Sequence, residues 1–410
     1  MRLRRVLSSI LTLSIGISVL SGCGSVQSQV DATHTKSLTL ALRDGTYSDV
    51  IRSCLPAFEE QTGITCEVVN FSEDDLHNLL LDEGGRSSQY DLCMADASWT
   101  AQLYAEGVVA DLSELGYSID NDIIPATTAI SYYGDHLYLV PYFGNVTVLL
   151  YNKDLIKSSG VDLNSDSSLA DVMEVAKYAE SIGKAGFLYR GDTENNLVVD
   201  FLPILLAYGG WVVDENNRPT VNTPVFVEAM NAYLNLIATG EAMDKSTLIA
   251  SIENGEGAMA IGWPGWYTPT ELSPANYCSI SGKLDENSIS YNANVYGIWM
   301  LGICGDSSKK EAAAQLLTYL MDKNVQKETI AIGGVPCRYS SLRDEAVLAQ
   351  YPQYDAICDA LQGGTYRPTL EKWPEFYTIL GNAMRQIIDG EISVENGLNQ
   401  AQKELENTIR

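Results

Sequence analysis

From Ser37 onward, short apolar runs alternate with segments whose apolar residues recur every three to four positions, the two periods of strand and amphipathic helix. LTLALR (38–43) predicts a strand. DVIRSCLPAFEEQTG predicts a helix stopped by Gly63, because glycine takes the left-handed conformation that closes a helix. ITCEVVNF reads as a second strand, DDLHNLLLDEGG as a second helix, YDLCMAD as a buried strand, and the segment from about Ser98 to Glu106 as a helix. Strand and helix in this alternation make βα units and a parallel sheet. AISYYGDHLYLVPYFGNVTVLLY, between Ile130 and Tyr151, predicts long strands bent at Pro141 and Gly144, where the chain could cross from one lobe to another.

Further on, Leu169 to Ser181 predicts a helix with Ser168 as N-cap and Asp171 at the capping-box position. The same stretch, DLNSDSSLADVM, has the oxygen spacing of a calcium loop. It lacks the glycine at the sixth position, however, and carries Met173 where a bidentate Glu belongs, so the cap is preferred. PVFVEAMNAYLNLIATG, KKEAAAQLLTYLMD and VENGLNQAQKELENTI read as helices, GAMAIG and VYGIWMLGI as strands, and no internal repeat interrupts the series. GAMAIG runs straight into GWPGWYT (262–268), where glycine and proline stop both helix and strand while two indoles and a phenol remain. Such a loop either packs into a core or presents a flat apolar face to a ligand.

Composition narrows the choice. The 410 residues suffice for two or three domains, and 46% hydrophobic content is ordinary for a globular chain. Against 53 acidic residues stand only 26 Lys and Arg, and the net charge of −27 repels phosphate backbones and anionic headgroups, which argues against a nucleic-acid partner. The N-terminus carries Arg2, Arg4 and Arg5 ahead of an apolar run to Leu20, a secretory signal too short to span a bilayer. It ends in LSGC and Gly24-Ser25. Cleavage before Cys23 would remove the three arginines and take the charge from −27 to −30, leaving residues 23–36 as a flexible tether. Seven further cysteines, Cys54, Cys66, Cys93, Cys278, Cys304, Cys337 and Cys358, form no CxxC, and most sit in apolar runs, so buried free thiols are expected; a Cys54–Cys66 bridge is the alternative.

Much familiar chemistry is missing. Three histidines, His34, His77 and His136, make no HExxH or paired zinc spacing, and neither GxSxG nor a Walker loop occurs. Ser307-Ser308-Lys309-Lys310 matches SxxK without the companion motifs and reads better as a helix start. A pair of glycosidase carboxylates can hide among so many acids, so a surface-anchored carbohydrate enzyme stays as a rival. No enzyme activity and no cofactor is expected.

YDLCMADASWTAQLYAEGVVADLSEL, LYLVPYFGNVTVLLYNKDLIKSSGV, GGWVVDENNRPTVNTPVFVEAM, GEGAMAIGWPGW, GGVPCRYSSL and RPTLEKWPEFYTILGNAMRQIIDG lie in this order over the whole mature chain. Together they resemble the extracellular solute-binding proteins of bacterial ABC sugar importers, and LSGC resembles the lipobox that directs acylation of Cys23. The resemblance implies an α/β, two-lobed periplasmic-binding-protein fold of type II, each lobe a mostly parallel sheet flanked by helices, with ligand in the cleft between. It places residues 37–145 and 298–342 in an N-terminal lobe, residues 146–297 and 343–410 in a C-terminal lobe, and hinges at Gly144-Asn145 and Tyr296-Gly297. The implied partners are a carbohydrate, permease subunits with a separate ATPase, and a membrane reached only through lipid on Cys23; the chain itself would be a monomer.

Carried over residue by residue, the resemblance implies a polar clasp at Asp44 and Tyr47, a hydroxyl acceptor at Asp96 that could equally cap a helix, and Trp99 either in the cleft or packed. Asn145 falls where maltodextrin-binding members are acidic. Arg190 and Asn195 lie in a loop of polar contacts, Tyr296 precedes the returning strand, and Arg338 matches a recurring cleft arginine whose alternative is a surface ion pair. Trp373 falls on a stacking aromatic or a core anchor. Trp266 falls on the aromatic that stacks on sugar, and Trp263 is the second candidate in that loop. A polyamine or other non-sugar ligand, held by carboxylates and rings, is the competing expectation.

Overall fold

The computed structural model describes residues 37–82 and 89–409. The leader, Cys23 and the tether lie outside the described residues. Among these, ten strands build two sheets: β1 (Ser37–Arg43), β2 (Thr65–Phe71), β3 (Leu92–Asp96), β4 (Val140–Phe143), β5 (Val148–Asn152), β6 (Ala185–Arg190), β7 (Ala242–Met243), β8 (Gly257–Gly262), β9 (Ala275–Cys278) and β10 (Trp299–Ile303). The first sheet runs β2-β1-β3-β10-β4 and the second β9-β5-β8-β6-β7.

Each sheet is mixed where a mostly parallel one was expected. β1 pairs in parallel with β2 and β3, whereas β10 is antiparallel to both β3 and β4. In the second sheet β8–β6 and β6–β7 are parallel, while β8–β5 and β9–β5 are antiparallel. The reason is connectivity: parallel neighbours need a long crossover such as a helix, and strands that enter a sheet from the other lobe by a short crossing arrive reversed. Central β3 and β8 are buried along their whole length, which is why LCMAD and GAMAIG lack the polar alternation of a half-exposed strand.

Local signals act as read. Gly63 ends the helix Thr46–Thr62 at φ 71°, and Ser168 and Asp171 close a capping box on Leu169–Ser181. The strand Ala185–Arg190 and the helix Glu194–Ala207 escaped the sequence reading. That helix is buried almost all round from Leu197 and contains Pro203, so it has no polar face to reveal its period.

The two sheets are joined by a narrow ribbon. The chain leaves β4 at Phe143 and enters β5 at Val148; between them Asn145–Thr147 pairs with Val295–Gly297 through Gly297 N–H to Asn145 O (2.9 Å) and Thr147 N–H to Val295 O (2.8 Å). A third pass, Thr365–Tyr366, pairs in parallel with Val295–Tyr296. Asn294 locks the set, donating from Nδ2 to Thr147 O and accepting at Oδ1 from Ser279 Oγ (2.8 Å) and Ile280 N–H (3.1 Å). Glycine is required here by space. A Cβ on Gly144 would lie 2.9 Å from Leu361 Cδ1, one on Gly297 2.7 Å from the Trp263 ring, and one on Gly364 2.4 Å from the Tyr296 ring. Helix Gln353–Gly363 packs Ile357 and Leu361 into one apolar cluster with Leu40, Met94 and Leu301, and its Tyr354 hydroxyl donates to Gly334 O (2.6 Å).

Gly364→Val keeps an allowed backbone but forces the Tyr296 ring aside; we expect a loss of about 1–3 kcal/mol, read as a lower urea midpoint with an unchanged slope.

Candidate functional site

The strand-to-helix loops of both sheets face one another across a cleft of about 850 Å³. Loops at the carboxyl ends of strands are where an open α/β sheet leaves backbone and polar side chains free for a ligand. β1 and the helix start after it deliver Arg43, Asp44 and Tyr47; the helical turn after β2 delivers Glu73 and Asp74; β3 ends in Asp96; the ribbon contributes Asn145 and Gly297. From the other side come Arg190 at the end of β6, Asn195 in the following helix, and Trp263 and Trp266 from the loop after β8. A side chamber of about 540 Å³, walled by Trp99 and Trp373, shares Glu73, Asp74, Asn195, Arg367 and Tyr377 with the cleft.

Most charged groups here are already committed. Asp96 is 2% exposed: Oδ1 accepts from Ser98 N–H (2.8 Å) and Ser98 Oγ (2.7 Å), which is the helix cap, while Oδ2 accepts from Arg367 Nη2 (2.6 Å). Asp96 is therefore a cleft residue and a cap at once, and its oxygens face protein donors. Arg367 arrives directly after the third crossing and also donates to Tyr296 O (3.3 Å). Arg190, 7% exposed, is gripped by Asp200, itself 1% exposed, and donates from Nη1 to Asn196 Oδ1 (2.6 Å). Its guanidinium lies 4.9 Å from the Trp266 ring centroid, a cation–π contact. Arg43 pairs with Asp44.

Uncommitted polar atoms also gather here. Asn145 is 4% exposed; its Nδ2 donates to the Tyr47 hydroxyl (3.2 Å) while its Oδ1 has no partner. Arg43 Nε, Asn195 Oδ1 and, in the side chamber, Trp373 Nε1 are likewise buried without a partner. Aromatic faces surround them. Tyr47 packs edge-on to Phe143 at 4.7 Å and lies 5.4 Å from Trp299, and Trp299 meets Trp99 at 5.5 Å. Burial pushes the Tyr47 phenol well above its ordinary range and the Tyr377 phenol up to about 12, so both remain neutral hydrogen-bonding groups.

Of the residues read from sequence, Asp44, Tyr47, Asp96, Asn145, Arg190, Asn195, Trp263 and Trp266 line the cleft, and Trp99 and Trp373 the side chamber. The two loop indoles differ. Trp263 is 7% exposed and wedged against Gly297, whereas Trp266, on the turn Pro264–Trp266, is half-buried beneath Arg190. Trp373 is both wall and anchor, stacked on Phe376 at 5.3 Å.

Two assignments are corrected. Tyr296 is 1% exposed, donates to Leu361 O (2.5 Å) and packs edge-on to Tyr366, so it is a ribbon residue. Arg338 is 1% exposed and spent on Asp120, Asp122, Gln326 Oε1 and Met321 O; it ties the first lobe together behind the cleft. Glu73, Trp299 and Arg367 were not singled out from sequence. Their one local signal is position: Glu73 and Arg367 closely follow a strand, and Trp299 begins one.

The seven described cysteines are free thiols, including Cys54 and Cys66. Burial pushes the thiols of Cys66, Cys278 and Cys337 up to about 12, which keeps them protonated and unreactive. Among the described residues no cluster of His, Cys, Asp or Glu could hold a metal ion, and no helix is long and apolar enough to cross a membrane.

Two α/β lobes on a ribbon, with loops of both turned onto a polar and aromatic cleft, define a bilobal binding protein. The chain belongs to the bacterial extracellular solute-binding proteins, whose family model matches residues 45–327. Among curated sequences it is 25% identical over 322 residues, 75% of this chain and 73% of the relative, to a Sinorhizobium fredii protein named "Probable amino-acid ABC transporter periplasmic-binding protein". It is 24% identical over 384 residues, 87% of either chain, to one from Deinococcus radiodurans named "Probable ABC transporter-binding protein". Among solved structures it is similar to maltose-bound MalE3 of T. maritima, with TM-score 0.78 and 22% identity over 91% of this chain and 99% of that one. A ribitol complex of a solute-binding protein from Agrobacterium radiobacter gives TM-score 0.77 and 22% identity over 91% and 98%. The family and these neighbours are solute-binding proteins, not enzymes.

Two outcomes are expected. Asp200→Ala strands a buried guanidinium and should cost about 3–5 kcal/mol in urea unfolding. At pH 8 the mature chain without Cys23 should alkylate slowly when native, and at all seven remaining cysteines once unfolded in guanidinium.

Proposed function

We propose that the protein is the lipid-anchored receptor of an ABC importer and that it captures a sugar or oligosaccharide in this cleft. The observation that carries the reading is the coincidence, in one cavity, of unpartnered polar atoms and aromatic faces: Arg43 Nε and Asn145 Oδ1 with Tyr47 and Trp299, and Trp266 from the other side. A sugar ring offers hydroxyls that donate and accept at once, and C–H faces that rest on rings. The Arg190 guanidinium fixes the Trp266 ring in place before any ligand arrives, which lowers the ordering cost of stacking.

The name of the Sinorhizobium relative raises an amino acid as the second reading. An α-carboxylate needs a desolvated cation of its own; the guanidiniums of Arg43, Arg190 and Arg367 are each engaged by a carboxylate, and Lys245, the cleft's lysine, is exposed. That favours a ligand without a carboxylate.

In this reading, ligand contacts made to both lobes favour a closed form that the permease recognises, with movement at the ribbon. In it the first lobe holds residues 37–145 and 298–342, and the second residues 146–297 and 343–410. Acylation of Cys23 holds the body at the cell membrane, and ATP is hydrolysed by separate subunits.

A thermal-shift panel of sugars, polyols, amino acids and polyamines on the mature chain tests the class. A sugar or polyol should raise the melting temperature, and Trp266→Ala should weaken its binding at least tenfold, about 1.4 kcal/mol, with the fold intact by circular dichroism. A shift by amino acids or polyamines alone would overturn the proposal.

A further inference from the structure

The side chamber differs from the main cleft in its charge balance. Glu73 sits at the junction of the two cavities, half-buried, and Asp74 follows it; neither makes a hydrogen bond or ion pair through its side chain with a described residue. Glu371 and Glu375 stand on the chamber's rim in the same condition. The arginine and lysine of the chamber donate to other oxygens. Arg367 is bound to Asp96, and Lys372 Nζ donates to Thr408 O (2.8 Å). Burial, then the neighbouring Asp96 carboxylate, pushes the Glu73 carboxyl above its ordinary range, although the Arg367 and Arg43 guanidiniums pull it down.

Two further observations point to a ligand. Trp373, 4% exposed, walls the chamber and its buried Nε1 donor is unpartnered, a donor that an acceptor on the occupant would satisfy. Asn195, which lines the junction with Glu73, has a buried unpartnered acceptor in Oδ1, which a donor on the occupant would satisfy. A hydroxylated ring bearing an ammonium group supplies both. Its three N–H donors match the Glu73 carboxylate, Asp74 and the Asn195 amide oxygen, and its charge is further favoured by the faces of Trp99 and Trp373.

We propose that the side chamber receives a protonated amine carried by the ligand, which makes that ligand an amino sugar, its neutral part held by the main cleft. The inference rests on the carbohydrate reading above and narrows it. A neutral sugar would leave Glu73 without a direct ion-pair partner, and a simple polyamine would leave Trp373 Nε1 without its acceptor.

The test is titration calorimetry of the mature chain with four probes at pH 6: a β-linked glucosamine disaccharide, its N-acetylated form, the matching glucose disaccharide, and spermidine. The amine disaccharide should bind at least tenfold tighter than the other two disaccharides, and Glu73→Gln should shrink that preference to about twofold. Equal or tighter binding of the N-acetylated or glucose form would overturn the amine assignment while sparing the carbohydrate reading, as would a preference untouched by Glu73→Gln. Binding of spermidine alone, or of none of the four where amino acids shift the melting temperature, would overturn both.

Discussion

The molecule depends on the antiparallel pairing of Asn145–Thr147 with Val295–Gly297. Few backbone hydrogen bonds and one asparagine, Asn294, hold two sheets in register, and the cleft exists because the ribbon is that narrow. Asn145 is at once a strand of the ribbon and a wall of the cleft. Trp299 begins β10 two residues after the ribbon ends, and Arg367 follows the third pass at once. A rotation at the ribbon would therefore move cleft groups directly, without a relay of packed side chains. Hinges commonly work this way, a few residues absorbing the dihedral change while the bodies on either side stay rigid.

A second theme is the way a chain of net charge −27 furnishes a cleft with guanidiniums. Each is met by an acid: Arg190 by Asp200, Arg367 by Asp96, Arg43 by Asp44. The buried pairs have paid their desolvation cost during folding, so they present fixed dipoles and hydrocarbon planes in place of free charge. That is a surface suited to hydroxyls and ring faces, and it leaves Glu73 as the exception among the half-buried acids of the cleft.

How much of this was legible follows from range. Gly63, the Ser168–Asp171 box and the strand GAMAIG are local statements, written within a few residues, and they hold in the structure. Helix Glu194–Ala207 was illegible because burial on every side erases the helical period, and Pro203 argues falsely against it. Arg367 could not be placed because its partner Asp96 is 271 residues away. Arg338 and Tyr296 show the converse. Their residue types suit a binding site, yet the oxygens that claim them, of Asp120 and Asp122 for one and of Leu361 for the other, are set by the tertiary fold alone. The paired indoles of GWPGWYT look alike in sequence and separate only when Gly297 is seen to make room for Trp263.

That fit of Trp263 into the space left by Gly297, and of the Tyr296 ring into the space left by Gly364, has a consequence for descent. A missing side chain on one segment and a large ring on another form a complementary pair, and contacting residues of this kind do not change independently. Enlarging the glycine alone collides, and shrinking the ring alone opens a void. A lineage can alter these positions only by passing through a damaged intermediate or by changing both together. The joint between the lobes should therefore drift only in coupled steps while the loops around the cleft vary freely, so that the specificity of the binding protein evolves faster than its joint.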